Sequence, residues 1–274
     1  YGDHRDLHLC DRRQRQMWIR DSRMRVAIVT GATGGIGSEF CRALDSKGLD
    51  GIVVLGRNLD ALRSVERELS TKMLLFQIDL TDRASLHGFE SELLGSDYEI
   101  EYLVNCAGFG AFGDLPEQDA RDTEGMIDVN VVALTELTRA CITMMRRGSW
   151  IIQVCSASAY LPLPGLGVYA ATKAYVRSFT DSIRIELKDK GINVLEVSPG
   201  WVDTEFIDRA MQSHSVPKKV FRHRVNPQDV VSQAMRDIEK GKGRSVCGTY
   251  NKLQVFVCRH MPRVATSVWM RSLR

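Results

Sequence analysis

Tyr169 and Lys173 stand four residues apart in Tyr169-Ala170-Ala171-Thr172-Lys173. A helix turns once in 3.6 residues, so the two share one face. An ammonium beside a phenol favours the phenolate and lowers the tyrosine pKa from its reference of about 10. The result is a general acid/base suited to neutral pH. On its own such a pair more often means surface packing. Ser156 raises its value: it closes the strand-like run Trp150 to Cys155, where a hydroxyl can hold a carbonyl oxygen while the tyrosine donates its proton.

The elements that must position these groups are short apolar strands alternating with amphipathic helices. Arg25 to Thr30 reads as a buried strand, followed by Thr30-Gly31-Ala32-Thr33-Gly34-Gly35-Ile36-Gly37 and a helix from Ser38 to Leu44. Glycines let a backbone approach a pyrophosphate, and the helix start offers free N–H groups. No Gly-Lys-Ser/Thr follows, which argues against a nucleoside-triphosphate loop. The second strand, Gly51 to Leu55, ends in Gly56-Arg57-Asn58. An NAD site usually places an acid at that point, whereas a guanidinium suits a 2′-phosphate, so Arg57 points to NADP. The competing reading is a solvated Arg57, with Asn58 capping a helix from Leu59 to Ser70.

Further strands are expected at Met73 to Ile78, ending at Asp79, and at Tyr102 to Val104, running into Asn105-Cys106-Ala107-Gly108. A helix follows Asp79 through about Leu94. Ser149 to Cys155 and Ile192 to Val197 read as the last two strands, the latter stopping at Ser198-Pro199-Gly200. A long helix spans about Ala120 to Arg146 and holds Asn130. Asparagine there is costly unless bonded, and read alone it is a satisfied structural amide. Val168 to Lys190 is the helix carrying Tyr169. The alternation implies an α/β fold, a Rossmann-type doubly wound parallel sheet in a single domain, with its motifs at strand C-termini.

Of the 274 residues, 44% are hydrophobic and 26% charged, with a formal net charge of +3. The ends are basic: residues 1–25 hold seven Arg against four Asp, and residues 214–274 hold thirteen Lys or Arg against three acids. Such ends suit an anionic membrane, nucleic acid or an acidic substrate, or are simply solvated segments. Seven cysteines at irregular spacing read as reduced thiols of a cytoplasmic protein. No apolar run is long enough to span a membrane. Residues 1–24 read as a flexible extension, 25–250 as the nucleotide-binding catalytic domain and 251–274 as a basic amphipathic tail.

Thr30-Gly31-x-x-x-Gly35-x-Gly37, Asn105-x-Ala107-Gly108, Asn130, Ser156, Tyr169-x-x-x-Lys173 and Pro199-Gly200 together resemble the short-chain dehydrogenase/reductase family in its single-domain form. The resemblance covers about residues 25 to 250 and implies roles motif by motif. Gly31, Thr33, Gly35, Ile36 and Gly37 would cradle the cofactor pyrophosphate, Arg57 would meet the adenosine 2′-phosphate, Asp79 would approach the adenine and Asn105 would hold the turn beneath the cofactor. Tyr169 would exchange the proton and Ser156 would fix the substrate oxygen. Lys173 would bind the nicotinamide ribose, and Asn130 would hold a relay water. Pro199, Gly200, Val202 and Thr204 would line the nicotinamide end. The glycine turn lacks the basic residue that some NADP enzymes of the family place there, so NADP(H) rests on Arg57. The family also implies a homodimer or homotetramer and no nucleic-acid partner.

The substrate is less legible. Phe109, Phe112, Trp201, Phe206 and the apolar loop from Ala157 to Gly167 would suit a lipophilic ketone or alcohol, steroid-like or 3-oxoacyl in type, if they line one pocket. Lys218, Lys219, Arg222, His223 and Arg224 either meet an acidic group or form a solvated face. Leu253, Phe256, Val268 and Trp269 among Lys252, Arg259, Arg263 and Arg271 either lie on a membrane surface or pack on the protein. The expected activity is an NADPH-dependent oxidoreductase. The alternative is a non-catalytic NADP-binding regulator or redox sensor.

Overall fold

The computed structural model describes residues 23–211, 221 and 223–260. Of the expected N-terminal extension, residues 1–22 lie outside them, as does the far end of the tail, and Met24 already belongs to the first strand. Seven parallel strands form one sheet, ordered β3-β2-β1-β4-β5-β6-β7. They are β1 (Met24–Thr30), β2 (Gly51–Gly56), β3 (Met73–Gln77), β4 (Tyr98–Asn105), β5 (Met145–Val154), β6 (Asn193–Val197) and β7 (Arg244–Ser245). The order reverses between β1 and β4, which opens a crevice at their carboxyl ends. Register places Thr30 beside both Leu55 and Asn105 there.

Side chains alternate across a strand, so the sheet builds two cores. One joins Ala27, Val29, Ile52 and Val54 to Phe40, Cys41 and Leu44 of α1 (Gly35–Asp45), Leu62 and Val65 of α2 (Leu59–Glu66), and Val230, Ala234 and Ile238 of a late helix, Pro227–Glu239. The other joins Val26, Ile28, Val53 and Leu55 to Leu86, Phe89 and Leu93 of α3 (Arg83–Leu94) and to the helices that carry Asn130 and Tyr169. Both faces are covered, as an all-parallel sheet requires.

The expected helix from Ala120 to Arg146 is three pieces and ends early. It comprises α4 (Ala120–Ile127), a π-helical stretch (Asp128–Ala133) holding Asn130, and α5 (Leu134–Ile142). Arg146 suits a helix C-terminus by charge, but it lies in β5, pairing with Glu99 and Glu101 at 2.7 and 2.8 Å. Gly148 sits at φ +96°, a bend that a side chain would oppose, between the two parts of that strand. The helix carrying Tyr169, α6 (Gly167–Glu186), stops short of Lys190. Beyond β6 come α7 (Glu205–Ala210), α8 (Pro227–Glu239) and α9 (Thr249–His260). The near half of the expected tail is α9, packed on the protein through Asn251, Val255 and Cys258 while Leu253 and Phe256 face outward.

Candidate active site

Thr30 ends β1 and ties the crevice together. Its hydroxyl accepts the backbone N–H groups of Cys106 and Ala107, both at 3.0 Å. The glycine turn is then fixed by contact. A Cβ on Gly37 would stand 2.1 Å from the Gly31 carbonyl oxygen, and one on Gly31 2.9 Å from Ala107 Cα. Gly31 also adopts φ +66°, open to glycine at no steric cost. The first turn of α1 has neither a side-chain cap nor an acidic residue, which leaves amide groups for an anion. That vacant donor set fits a dinucleotide pyrophosphate. Thr204 closes the turn from the far side, its methyl 2.5 Å from where a Gly35 Cβ would lie.

At the ends of β2 and β3, Arg57 and Asp79 are both exposed. Asn58 caps α2, accepting from Ala61 N at 3.0 Å, so capping falls to Asn58 and leaves the neighbouring guanidinium uninvolved. Asp79 Oδ1 accepts from the backbone and hydroxyl of Thr81 at 2.9 and 2.8 Å. Asn105 donates to Thr138 Oγ1 at 2.9 Å beneath the crevice.

The chemical centre lies where β5 meets α6. Ser156 accepts from Ser158 N at 3.1 Å, which orients its hydroxyl. Tyr169 is buried, and its phenol is near enough to Ser156 for that hydroxyl to favour the phenolate. Lys173 lies on the same side of α6, its Nζ 5.8 Å from the Tyr169 ring centroid. The ammonium gives one of its three N–H groups to the Val154 carbonyl at 2.8 Å. The expected depression of the phenol pKa by Lys173 is not what these side chains give. Burial pushes the Tyr169 pKa up, and the Ser156 hydroxyl only partly offsets it. Burial likewise pushes the Lys173 pKa down.

Asn130 is fully buried with its amide satisfied. Oδ1 accepts from Phe109 N at 3.1 Å, and Nδ2 donates to Phe109 O and Thr172 Oγ1, both at 3.0 Å. Its two N–H bonds are spent on protein, so the geometry favours a positioning amide over a residue donating to a relay water. It holds the loop after β4 against α6. A Cβ on Gly108 would meet Asn130 Oδ1 at 2.9 Å and Lys173 Nζ at 3.3 Å, so glycine admits both.

Around the phenol stand Phe109, Phe112, Met126, Leu166, Ile207 and Phe221, with Trp201 and Phe206 at the edge. Phe206 packs on Tyr169 with ring centroids 5.4 Å apart, and Trp201 on Phe221 at 4.8 Å. The loop after Ser156 divides. Leu166 joins this aromatic cluster, whereas Ala157, Ala159, Tyr160 and Leu161 pack on Val255 and Cys258 of α9. Pro199 accepts from Ala157 N at 2.8 Å, Gly200 abuts Asn251, and Val202 bridges to Val225.

The profile of the short chain dehydrogenase family matches residues 25–214. The chain belongs to that family. It is an oxidoreductase of the group, similar to an uncharacterized oxidoreductase of Staphylococcus epidermidis (31% identical over 66% of this chain and 79% of the relative). It is also similar to the NADP-dependent 3-hydroxy acid dehydrogenase YdfG of Escherichia coli (33% identical over 75% and 85%). Among solved structures, the closed form of serine dehydrogenase complexed with NADP+ is 28% identical, with a TM-score of 0.69 over 81% of this chain and 93% of that one. A Burkholderia phymatum family member in complex with NAD, 21% identical over 86% and 92% with a TM-score of 0.74, shares the fold. Nicotinamide cofactors thus appear in the name of YdfG and in both of these structures.

Against this family frame, the basic cluster after Phe206 proves partly structural. Lys218, Lys219 and Arg222 lie outside the described residues. His223 stacks on Tyr250 at 4.2 Å and Arg224 pairs with Asp203 at 3.0 Å. Sequence reasoning missed Thr30, Thr172 and the buried carboxylate Glu196, which binds Tyr160, Ser198 and, at 2.8 Å, Arg244. Thr30 had a signal, as the last strand residue before the glycines. Glu196 had none, because it sits inside an apolar run.

Proposed function

We propose that the protein is an NADPH-dependent reductase, or in reverse a dehydrogenase, interconverting a lipophilic ketone and its secondary alcohol. The observation that carries this reading is the buried Tyr169 side chain, beside Ser156 and packed into an aromatic cluster. Arg57 at the end of β2, where the chain offers no acid, supports NADP over NAD, and YdfG is an NADP-dependent relative by name.

Gly31, Thr33, Gly35, Ile36 and Gly37 would hold the pyrophosphate, Arg57 the 2′-phosphate and Asp79 the adenine side. Asn105 would support the turn beneath, and Pro199, Gly200, Val202 and Thr204 would line the nicotinamide end. The bound cofactor supplies hydride. Ser156 and Tyr169 direct two hydroxyls at one carbonyl oxygen and stabilise the charge that grows there. A phenol with a raised pKa is fully protonated at neutral pH, so Tyr169 is loaded as the donor in the reductive direction. Lys173 underlies that site, and Asn130 and Thr172 fix the loop that closes it. Steroid-like and 3-oxoacyl ketones fit the apolar lining.

The outer faces of α4 and α6 expose Ile127, Tyr175 and Ile185, which supports assembly as a homodimer or homotetramer, checked by light scattering. No described helix is long and apolar enough to cross a membrane. Leu253 and Phe256 of α9, beside Lys252 and Arg259, support peripheral membrane contact, checked by vesicle co-sedimentation with and without residues 250–274.

The deciding experiment is NADPH consumption across a panel of steroid and acyl ketones, with Tyr169→Phe as the control. Turnover abolished by the substitution supports the enzyme. Cofactor binding with no turnover on any ketone would favour a regulator. Arg57→Ala should weaken NADPH far more than NADH, and equal losses would remove the basis for NADP.

A further inference from the structure

The short helix α7 touches both ends of the crevice. Phe206 lies on Tyr169, and one turn later the Arg209 guanidinium lies 4.0 Å from the centroid of the Phe109 ring. Phe109 is immobile. Asn130 bonds both its N–H and its carbonyl, and its ring meets Gly125 closely, 3.0 Å from where a Cβ would stand. An arginine on an exposed helix face thus has its head docked on a fixed aromatic face, which orients it.

The charges acting on that head are Arg57, Asp122 and Asp79. The Phe109 ring packs against Gly125, which also faces Thr81, the residue that Asp79 holds after β3, so Arg209 stands on the Asp79 side of the crevice, near the end of β2 that Arg57 follows. Burial first, and then the neighbouring Arg57 charge, disfavour its charged form. Arg25, Arg42 and Arg244 each hold a carboxylate at hydrogen-bond distance. Arg57 and Arg209 bring like charges to one side of the crevice beside Asp79 and Asp122, and Asp79 commits one oxygen to Thr81. Two guanidinium groups on one side of the crevice gain most from a multiply charged anion that both can reach.

We propose that Arg209 is a second phosphate-binding cation, reaching across the crevice to the side of Arg57 to recognise the 2′-phosphate of a phosphorylated adenosine ribose. It supplies from α7 the positive charge that the glycine turn lacks, and it couples cofactor identity to the helix that covers Tyr169. This rests on the NADP reading above.

The test is calorimetric binding of adenosine 2′,5′-bisphosphate and of adenosine 5′-monophosphate to the full chain. The two ligands differ only in the 2′-phosphate. Wild type should prefer the bisphosphate. Arg209→Gln should weaken it by about tenfold, the loss of one charge-assisted contact, and Arg209→Glu by more. Binding of the monophosphate should change by less than about threefold in both. Both replacements sit on an exposed helix face, so either folded variant suffices. If wild type shows no preference, the NADP reading falls and this inference with it. If wild type prefers the bisphosphate and a variant keeps that preference, or loses both ligands equally, the inference alone is overturned.

Discussion

Lys173 shares a helix face with Tyr169, 5.8 Å from its ring, and gives one N–H of its ammonium to the Val154 carbonyl at 2.8 Å. The other groups that act on it are the thiols of Cys155 and Cys106, which burial holds mostly protonated by pushing both pKa values up to about 12. A buried cation with no carboxylate beside it is a cost that folding alone would not select. It makes sense as a group held ready for a ribose hydroxyl.

Lys173→Met should therefore stabilise the ligand-free protein by about 1 kcal/mol at neutral pH while turnover falls at least a hundredfold. The folded-state pKa of Lys173 lies below its unfolded value of about 10.4. The penalty for the charged amine is full at low pH, declines between the two pKa values and is gone above about pH 10.4. Denaturation of both proteins across the alkaline range should show their difference shrinking as pH rises. A Lys173→Met protein less stable than wild type at pH 7 would mean that the Val154 bond outweighs desolvation.

Ser156→Ala should lower kcat by about two orders of magnitude, the usual loss for one donor to a developing oxyanion. Cofactor affinity should hold, because the Ser156 hydroxyl is bonded within its own turn. Single-turnover kinetics beside cofactor titration separates the two effects. A variant with near-normal kcat would remove Ser156 from the chemistry.

How far the sequence could be read follows from what each feature depends on. The strands through β6 and the crevice motifs depend on local pattern, an apolar run ending in glycine or a small polar residue, and they were legible to within a few residues. The break at Asp128–Ala133 was not, because it follows from Asn130 bonding Phe109 across space. The start of β5 at Met145 was hidden by arginines whose carboxylates lie on β4. Spacing placed Tyr169 beside Lys173 but could not reveal that a backbone carbonyl takes one N–H of the ammonium, nor that burial outweighs charge at the phenol. Arg209 carries no motif at all, since only the packing of α7 brings it to Phe109.

Thr172 links Tyr169 to Asn130: its hydroxyl donates to the Tyr169 carbonyl at 2.7 Å and accepts from Asn130 Nδ2 at 3.0 Å. Thr172→Val keeps the shape and leaves the buried amide one partner short. Stability should fall by about 1–3 kcal/mol in urea denaturation. An unchanged midpoint would show that a water replaces the hydroxyl, and would return Asn130 to a water-holding role.

Gly110 sets the position of the phenol. A Cβ there would stand 3.1 Å from Tyr169 Cδ2 and 3.1 Å from Phe206 Cζ, so Gly110→Ala must displace one ring by a few tenths of an ångström. Tyr169 is held by α6 beside Ser156, whereas Phe206 belongs to the edge of the aromatic cluster. With Phe206 backed against Tyr169 at 5.4 Å, neither ring moves alone. A small misplacement of a proton donor is expensive in rate, so kcat should fall about tenfold or more with cofactor binding intact. Phe206→Leu removes one of the two walls, and the double variant should recover part of the loss, a coupling that a double-mutant cycle measures directly. Additive effects would mean that the rings respond independently, and that α7 does not set the position of Tyr169.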